Sequence, residues 1–203
     1  MARLGYRAPL NVAEPDQLVL VECVSGGRVA LIPLSRPHAD NAITTELAAS
    51  LTEVLETIAA RATVRVAVIT GAGDRAFSVG GDLYQRKEMT KEQWLRQRQV
   101  FDRLIYTVRQ FRRPIIAAVD GMAYGGGCEI AVACAKRVAA MESYIGLVEV
   151  GVGLIPGGGG LAYIARRAAE MAAAGNANAD VFPFIREGFT AAAMAKVGTS
   201  AIE

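Results

Sequence analysis

The chain has 203 residues, and its 22 lysines and arginines against 20 aspartates and glutamates leave a formal charge of +2. With 52% apolar and 21% charged residues, it can bury a large core, which excludes disorder for its bulk, and the mixed signs lack the basic stripe of a nucleic-acid-binding surface. A single histidine, His38, excludes a multi-histidine metal site, and the three cysteines, Cys23, Cys128 and Cys134, form no C-x-x-C pair, so a reducing, cytoplasmic setting is expected. Met1–Arg7 carries no apolar run ahead of a small-residue cleavage site, so secretion is not expected. The apolar stretch Pro114–Ala135 is broken by Asp120, Glu129 and three glycines and reads as core; no membrane partner is expected.

In chain order, Leu18–Val24 and Arg28–Ser35 are rich in aliphatic and β-branched residues, and Ser25-Gly26-Gly27 between them supplies turn chemistry, which predicts a hairpin. Leu47, Leu51, Val54, Leu55 and Ile58 recur at helical spacing, so a helix is predicted over 45–60 with Thr44 or Thr45 as its cap. Val64–Thr70 reads as a strand, and Phe77–Asp82 as a loop. Phe101, Leu104, Ile105, Val108 and Phe111 predict a second amphipathic helix ending before Pro114. Ile115–Asp120 is a short apolar strand, Cys128–Ala135 a tightly packed helix, and Val138–Met141 and Tyr144–Val148 are further strands. An alanine-rich helix is predicted over 161–174, then a linker at Gly175–Ala179, then helix from Phe182 to Glu203. Strands alternate with helices, which predicts an α/β fold.

Two glycine-containing segments stand out, Ala76–Leu83 with Gly80-Gly81-Asp82 and Asp120–Glu129 with Gly125-Gly126-Gly127. Glycine lets another molecule approach the main chain closely, and amides freed there can meet an anion or a developing oxyanion. Taken singly, such clusters usually punctuate turns. Two lone acids in apolar surroundings change the balance: Glu129 follows the triple glycine, and Glu149 sits in Ile145–Gly151. Two amide-bearing loops beside two carboxylates suggest an oxyanion hole with a pair of groups set for proton transfer. In Glu129 the dipole of the helix start should favour the ionised form, whereas Glu149 should be raised by burial. Gly151-Val152-Gly153 is followed by Pro156 where a dinucleotide fingerprint needs its third glycine.

These residues resemble the crotonase, or enoyl-CoA hydratase/isomerase, superfamily over about residues 18–165. Arg36-Pro37 with Asn41-Ala42-Ile43 is similar to the first acyl-CoA-facing loop of that family. Ala76–Leu83 is similar to its Phe-x-x-Gly-x-Asp stretch, and Gly125–Glu129 to its second loop. Glu149 ahead of Pro156–Gly160 has the spacing of the second catalytic glutamate. The resemblance implies a crotonase-like fold of repeated ββα units, a core over 1–165, and a helical C-terminal segment over 166–203 that is short for the family. It implies oxyanion-hole amides at Gly81 and Gly126 and catalytic Glu129 and Glu149. Asn41, Ala42, Asp82, Leu83 and Tyr84 are then expected at the substrate. The implied activity is hydration of a trans-2-enoyl-CoA, with isomerisation, or acyl-CoA binding without catalysis, as alternatives. No metal and no cofactor beyond the coenzyme A of the substrate is implied, and the expected assembly is a homo-oligomer, a trimer or a dimer of trimers. From Met141 to Glu149, and around Ala193–Val197, the wording is similar to the crotonase module of some 3-hydroxyacyl-CoA dehydrogenases. Ala135, Val79 and Leu161 depart from the family pattern.

Overall fold

The computed structural model describes residues 17–176 and 178–201; the Met1–Arg7 segment, Ala177 of the linker and the last two residues lie outside them. β1 (Glu22–Val24) and β2 (Val29–Leu34) form the expected antiparallel hairpin. Ser25, Gly26 and Gly27 all take positive φ there, the geometry that a tight right-twisted turn requires. In α1 (Thr45–Ala59), the Thr44 hydroxyl caps the first turn by accepting from the Leu47 N–H at 3.1 Å. Leu47, Leu51, Leu55 and Ile58 on one face are buried.

The chain then repeats one module. A strand enters a first sheet, a short strand enters a second sheet, and a helix returns over the top. β3 (Val66–Gly71) and β4 (Ala76–Ser78) lead to α2 (Leu83–Lys87) and α3 (Lys91–Gln110). β5 (Ile115–Val119) and β6 (Met122–Tyr124) lead to α4 (Gly126–Ala133). β7 (Lys136–Ala139) and β8 (Tyr144–Gly146) lead through a 3-10 turn at Glu149–Val152 to α5 (Gly160–Gly175). α6 (Phe182–Ala193) and β9 (Val197–Gly198) complete the described chain.

Each module adds parallel strands to both sheets, giving the orders β1-β2-β3-β5-β7 and β4-β6-β8-β9. The first module contributes a single parallel bridge to the second sheet, Ile43 beside Gly81. The fold is therefore the α/β spiral of ββα units that the sequence resemblance implies. Ile32, Leu34, Leu51, Ile69, Phe77 and Ile130 are fully enclosed in a core between the first sheet and the helices.

Two readings of the sequence are corrected. Phe77 and Ser78 belong to a strand rather than a loop, and β6 was not foreseen at all. Three residues are too few to show an alternating pattern, and what makes them strands is pairing with β6 and β8. The tail is not helical throughout, because β9 leaves α6 and pairs antiparallel with β8. No helix among the described residues is long and apolar enough to cross a membrane.

The second module locks onto the third by backbone contact. Gly127 lies in the first turn of α4, and any Cβ there would overlap the Ser78 carbonyl of β4. Alanine should gain about 1 kcal/mol of helix propensity, but forcing two main chains apart costs about 1–3 kcal/mol or more. In urea unfolding, Gly127→Ala should lower the midpoint, whereas Gly175→Ala, where a Cβ meets nothing within 4 Å, should stay within about 0.5 kcal/mol of the parent or above it.

Candidate active site

The ends of β4 and β6 turn into the two glycine segments side by side. Gly80 takes φ of 86°, and a Cβ there would come within 3.0 Å of the Gly126 nitrogen. The loops thus approach backbone to backbone. Ile43 pins the first of them, since its N–H donates to the Gly80 carbonyl at 2.7 Å and its carbonyl accepts from the Asp82 N–H at 3.0 Å. This parallel bridge consumes the groups on either side of Gly81 and leaves the Gly81 N–H pointing away. Gly126 opens α4, where a helix leaves its first amides without an internal partner. Neither N–H donates a hydrogen bond among the described residues.

Both face a cavity of about 490 Å³, a size that suits a small-molecule ligand. Its wall includes Gly81, Leu83, Gly126, Glu129 and Glu149, so five of the nine residues expected from the sequence meet there. The other four do not line it. Asn41 is fully buried beneath the first loop. Its amide donates to the carbonyls of Ala72 and Ala76 at 2.9 and 2.8 Å, and its oxygen accepts from the Arg36 N–H at 2.9 Å. Asp82 caps α2, accepting from the Tyr84 and Gln85 N–H groups, and pairs with Arg36 at 3.0 Å. The same guanidinium nitrogen also donates to the Ala42 carbonyl. Although burial raises its pKa, these donors hold Asp82 below the usual carboxylate range. Asn41, Ala42 and Asp82 therefore brace the loop from behind, and Tyr84, 88% exposed, points outward.

Glu129 is buried, and its Oε1 accepts from the Gly160 N–H at 3.0 Å. Burial pushes its pKa up to about 7, and the neighbouring Glu149 adds to that, against the Gly160 and Gly158 amides. The expectation that the helix start would keep Glu129 readily ionised is corrected: loss of solvent outweighs a dipole effect of about 1 kcal/mol. Glu149 begins the 3-10 turn after β8 and packs against Gly125, where a Cβ would sit 3.3 Å from its Oε1. Its Oε2 is buried and accepts no hydrogen bond among the described residues. Burial raises its pKa too, with Arg86 pulling the other way.

The segment from Val148 to Gly158 supplies much of the remaining wall, and α3 adds Trp94, Gln97 and Phe101, which share one helix face at spacings of three and four. A buried glutamine between two aromatics on that stripe was the available signal. Arg86 also lines the cavity and was not foreseen. His38 is exposed in a 3-10 turn. Cys128 is buried with its thiol pushed up to about 12 by burial, so it is a packed filler and no nucleophile. Among the described residues no three His, Cys, Asp or Glu side chains cluster as metal ligands.

This arrangement has counterparts. The sequence pattern of the enoyl-CoA hydratase/isomerase family matches residues 25–179. The chain is 34% identical over 140 residues to a short-chain-enoyl-CoA hydratase of Clostridium acetobutylicum, covering 69% of this chain and 54% of that protein. It is 38% identical over 133 residues to a 2,3-dehydroadipyl-CoA hydratase of Escherichia coli, covering 66% and 51%. A crystal structure of an enoyl-CoA hydratase from Bacillus anthracis superposes with a TM-score of 0.80 at 30% identity, covering 92% of this chain and 66% of that one. The chain spans about half the length of the curated relatives it matches. With the spiral of ββα units, the paired glycine loops and a match over more than half of its residues, the chain belongs to the enoyl-CoA hydratase/isomerase family.

Proposed function

We propose that the protein hydrates a trans-2-enoyl-CoA. The observation that carries this reading is the convergence of two unpaired main-chain amides and two raised-pKa glutamates on one cavity. The thioester oxygen sits between the Gly81 and Gly126 N–H groups, which stabilise the enolate as negative charge develops; each such donor is worth about 3 kcal/mol in the transition state. Glu129, held by the Gly160 N–H, takes a proton from the attacking water as its oxygen bonds to C3. Glu149 gives its proton to C2, and its Oε2, without a donor of its own, favours that protonated form. The pair thereby holds one proton before and after the addition. A base with a pKa near 7 is well matched to neutral pH.

The substrate brings coenzyme A, and the reaction as written needs no further cofactor or metal. The proposed assembly is a homo-oligomer, supported by the exposed apolar residues Phe182, Ile185 and Phe189 of α6. A solution-mass measurement returning a monomer would remove that part of the reading.

Glu129→Gln and Glu149→Gln should each lower kcat for crotonyl-CoA hydration by at least about a hundredfold, in line with loss of a general acid or base. Turnover in both variants within tenfold of the parent would overturn the two-acid mechanism. Isomerisation makes a separate demand, since a 3-enoyl-CoA would be converted to the 2-enoyl thioester and one acid can suffice. Product analysis on that substrate, with hydration absent, would favour the isomerase reading.

Stability should report the same glutamate. Between about pH 4.5, the ordinary value, and about 7, the native state holds a proton on Glu129 that the unfolded chain has lost. Native binding exceeds unfolded binding there, so this contribution is complete below the ordinary pKa and is lost as pH rises through 7. At 1.36 kcal/mol per pKa unit the loss is about 3 kcal/mol. Glu129→Gln should therefore unfold later than the parent at pH 8, with the difference shrinking toward pH 5 in chemical denaturation; an equal difference at both values would contradict it.

A further inference from the structure

Arg86 is a cation on the cavity wall that the hydration chemistry leaves unused. It lies on α2, five residues past Gly81, and its guanidinium folds back onto that glycine. A side chain at Gly81 would overlap it. Gly81 has no left-handed φ, so backbone conformation does not demand glycine there. The space that a Cβ would fill is instead given to the guanidinium. Residue and niche fit each other.

The head group is also held from behind. Arg86 Nε donates to Gln97 Oε1 at 2.8 Å, Gln97 Nε2 donates to Gln85 Oε1 at 2.9 Å, and the same Gln85 oxygen accepts from the Thr45 N–H at 3.1 Å. Gln97 is 5% exposed. A buried amide relay of this kind orients a functional group; a solvated surface arginine has no such support. Nη1 and Nη2 make no hydrogen bond or ion pair among the described residues. Glu149 and Glu129 face the same space and draw the guanidinium toward its charged form against burial, yet neither lies within ion-pair distance of it. Glu149 Oε2 is left unpartnered as well. With Nε anchored to Gln97, the fork is on the cavity wall without a partner among the described residues. Arg98, the other cationic residue on the wall, is already paired with Asp102 at 2.9 Å.

An open guanidinium fork in a largely apolar, half-enclosed cavity matches one ligand group above others, a planar carboxylate taken by two parallel N–H donors. We infer that Arg86 receives a carboxylate carried at the far end of a short acyl chain, so that the site prefers CoA thioesters of short dicarboxylic acids over their uncharged counterparts. In a five-carbon chain the distal carboxyl is four bonds from the thioester carbon, about 5 Å when extended at the spacing of single carbon bonds. Because the guanidinium lies against Gly81, whose amide meets the thioester oxygen in that reading, the carboxylate it takes has to be carried on a short chain. This inference rests on the acyl-CoA reading of the cavity, and it concerns which acyl chain enters rather than how water is added.

The test is binding of unreactive thioesters by calorimetry, which needs no turnover. Glutaryl-CoA and pentanoyl-CoA have the same chain length and differ in the terminal carboxylate. The parent protein should bind glutaryl-CoA at least about tenfold more tightly, as charge-assisted hydrogen bonds imply. In Arg86→Met that ratio should collapse to near one or invert, and in Arg86→Lys, which keeps the charge without the fork, it should fall to an intermediate value. Gly81→Ala, by pushing the guanidinium out of its niche, should lower the ratio as well. A parent ratio at or below one overturns the inference while leaving acyl-CoA binding intact, and so does a ratio unchanged in both Arg86 variants. Failure of both thioesters to bind would instead remove the acyl-CoA reading and the inference with it.

Discussion

The site depends on one contact between two main chains. Gly80 and Gly126 come together where β4 and β6 end, close enough that a single Cβ on the first would press on the nitrogen of the second. Neither residue contributes a side chain, and that is the physical point. Two amide donors can converge on one oxygen only if their backbones lie nearly in contact, and any larger residue at the seam would hold them apart. The short strands behind them serve this end. β4, β6 and β8 have few residues, but their parallel pairing sets both loops in one register, and the Ile43 bridge closes the open side.

Behind that contact, polar residues hold the first loop as rigidly as the apolar core holds the sheet. Asn41 meets three backbone groups with no exposure to solvent. Arg36 reaches from the end of β2 to the Ala42 carbonyl and to Asp82, and Asp82 caps the helix that follows. Each group is satisfied by the protein, which is the condition under which a buried polar network stabilises rather than strains a fold. In front of the contact the logic reverses. Glu149 Oε2, the fork of Arg86 and the two glycine amides lack partners among the described residues. Polar groups left open around an apolar cavity are what a ligand can complete.

The two glutamates illustrate how burial decides chemistry. Glu129 has the position in which a helix start should favour its anion, and two amides point at it. Its raised pKa shows that removing solvent from a carboxylate is the larger effect, as the magnitudes require: a dipole or an amide contributes about 1 kcal/mol, whereas enclosing a charge costs several. A nearby second acid raises it further. Arg86 moderates Glu149 from across the cavity without pairing to it.

By itself, the sequence determined the alternation of strands and helices, the hairpin around Gly26, a helix capped by Thr44 or Thr45, and two glycine segments beside the lone acids Glu129 and Glu149, because each leaves a local mark: periodicity, turn chemistry, or a lone charge in apolar surroundings; Gly81 and Gly126 were singled out within those segments by the family resemblance. It did not determine β4, β6 or β9, which are too short for a pattern and exist through their partners. Nor could it separate residues that line the cavity from those that hold the loop, so Asn41 and Asp82 were expected at the substrate whereas they lie behind the first loop and off the cavity wall. Arg86 and Gln97 were hidden for a related reason. An arginine on a polar helix and a glutamine among charges look solvated in one dimension, and only the packing of α2 and α3 over the Gly81 loop turns them inward. Local physics wrote the elements; the tertiary structure decided which polar groups would be satisfied by the protein and which would be left for something else.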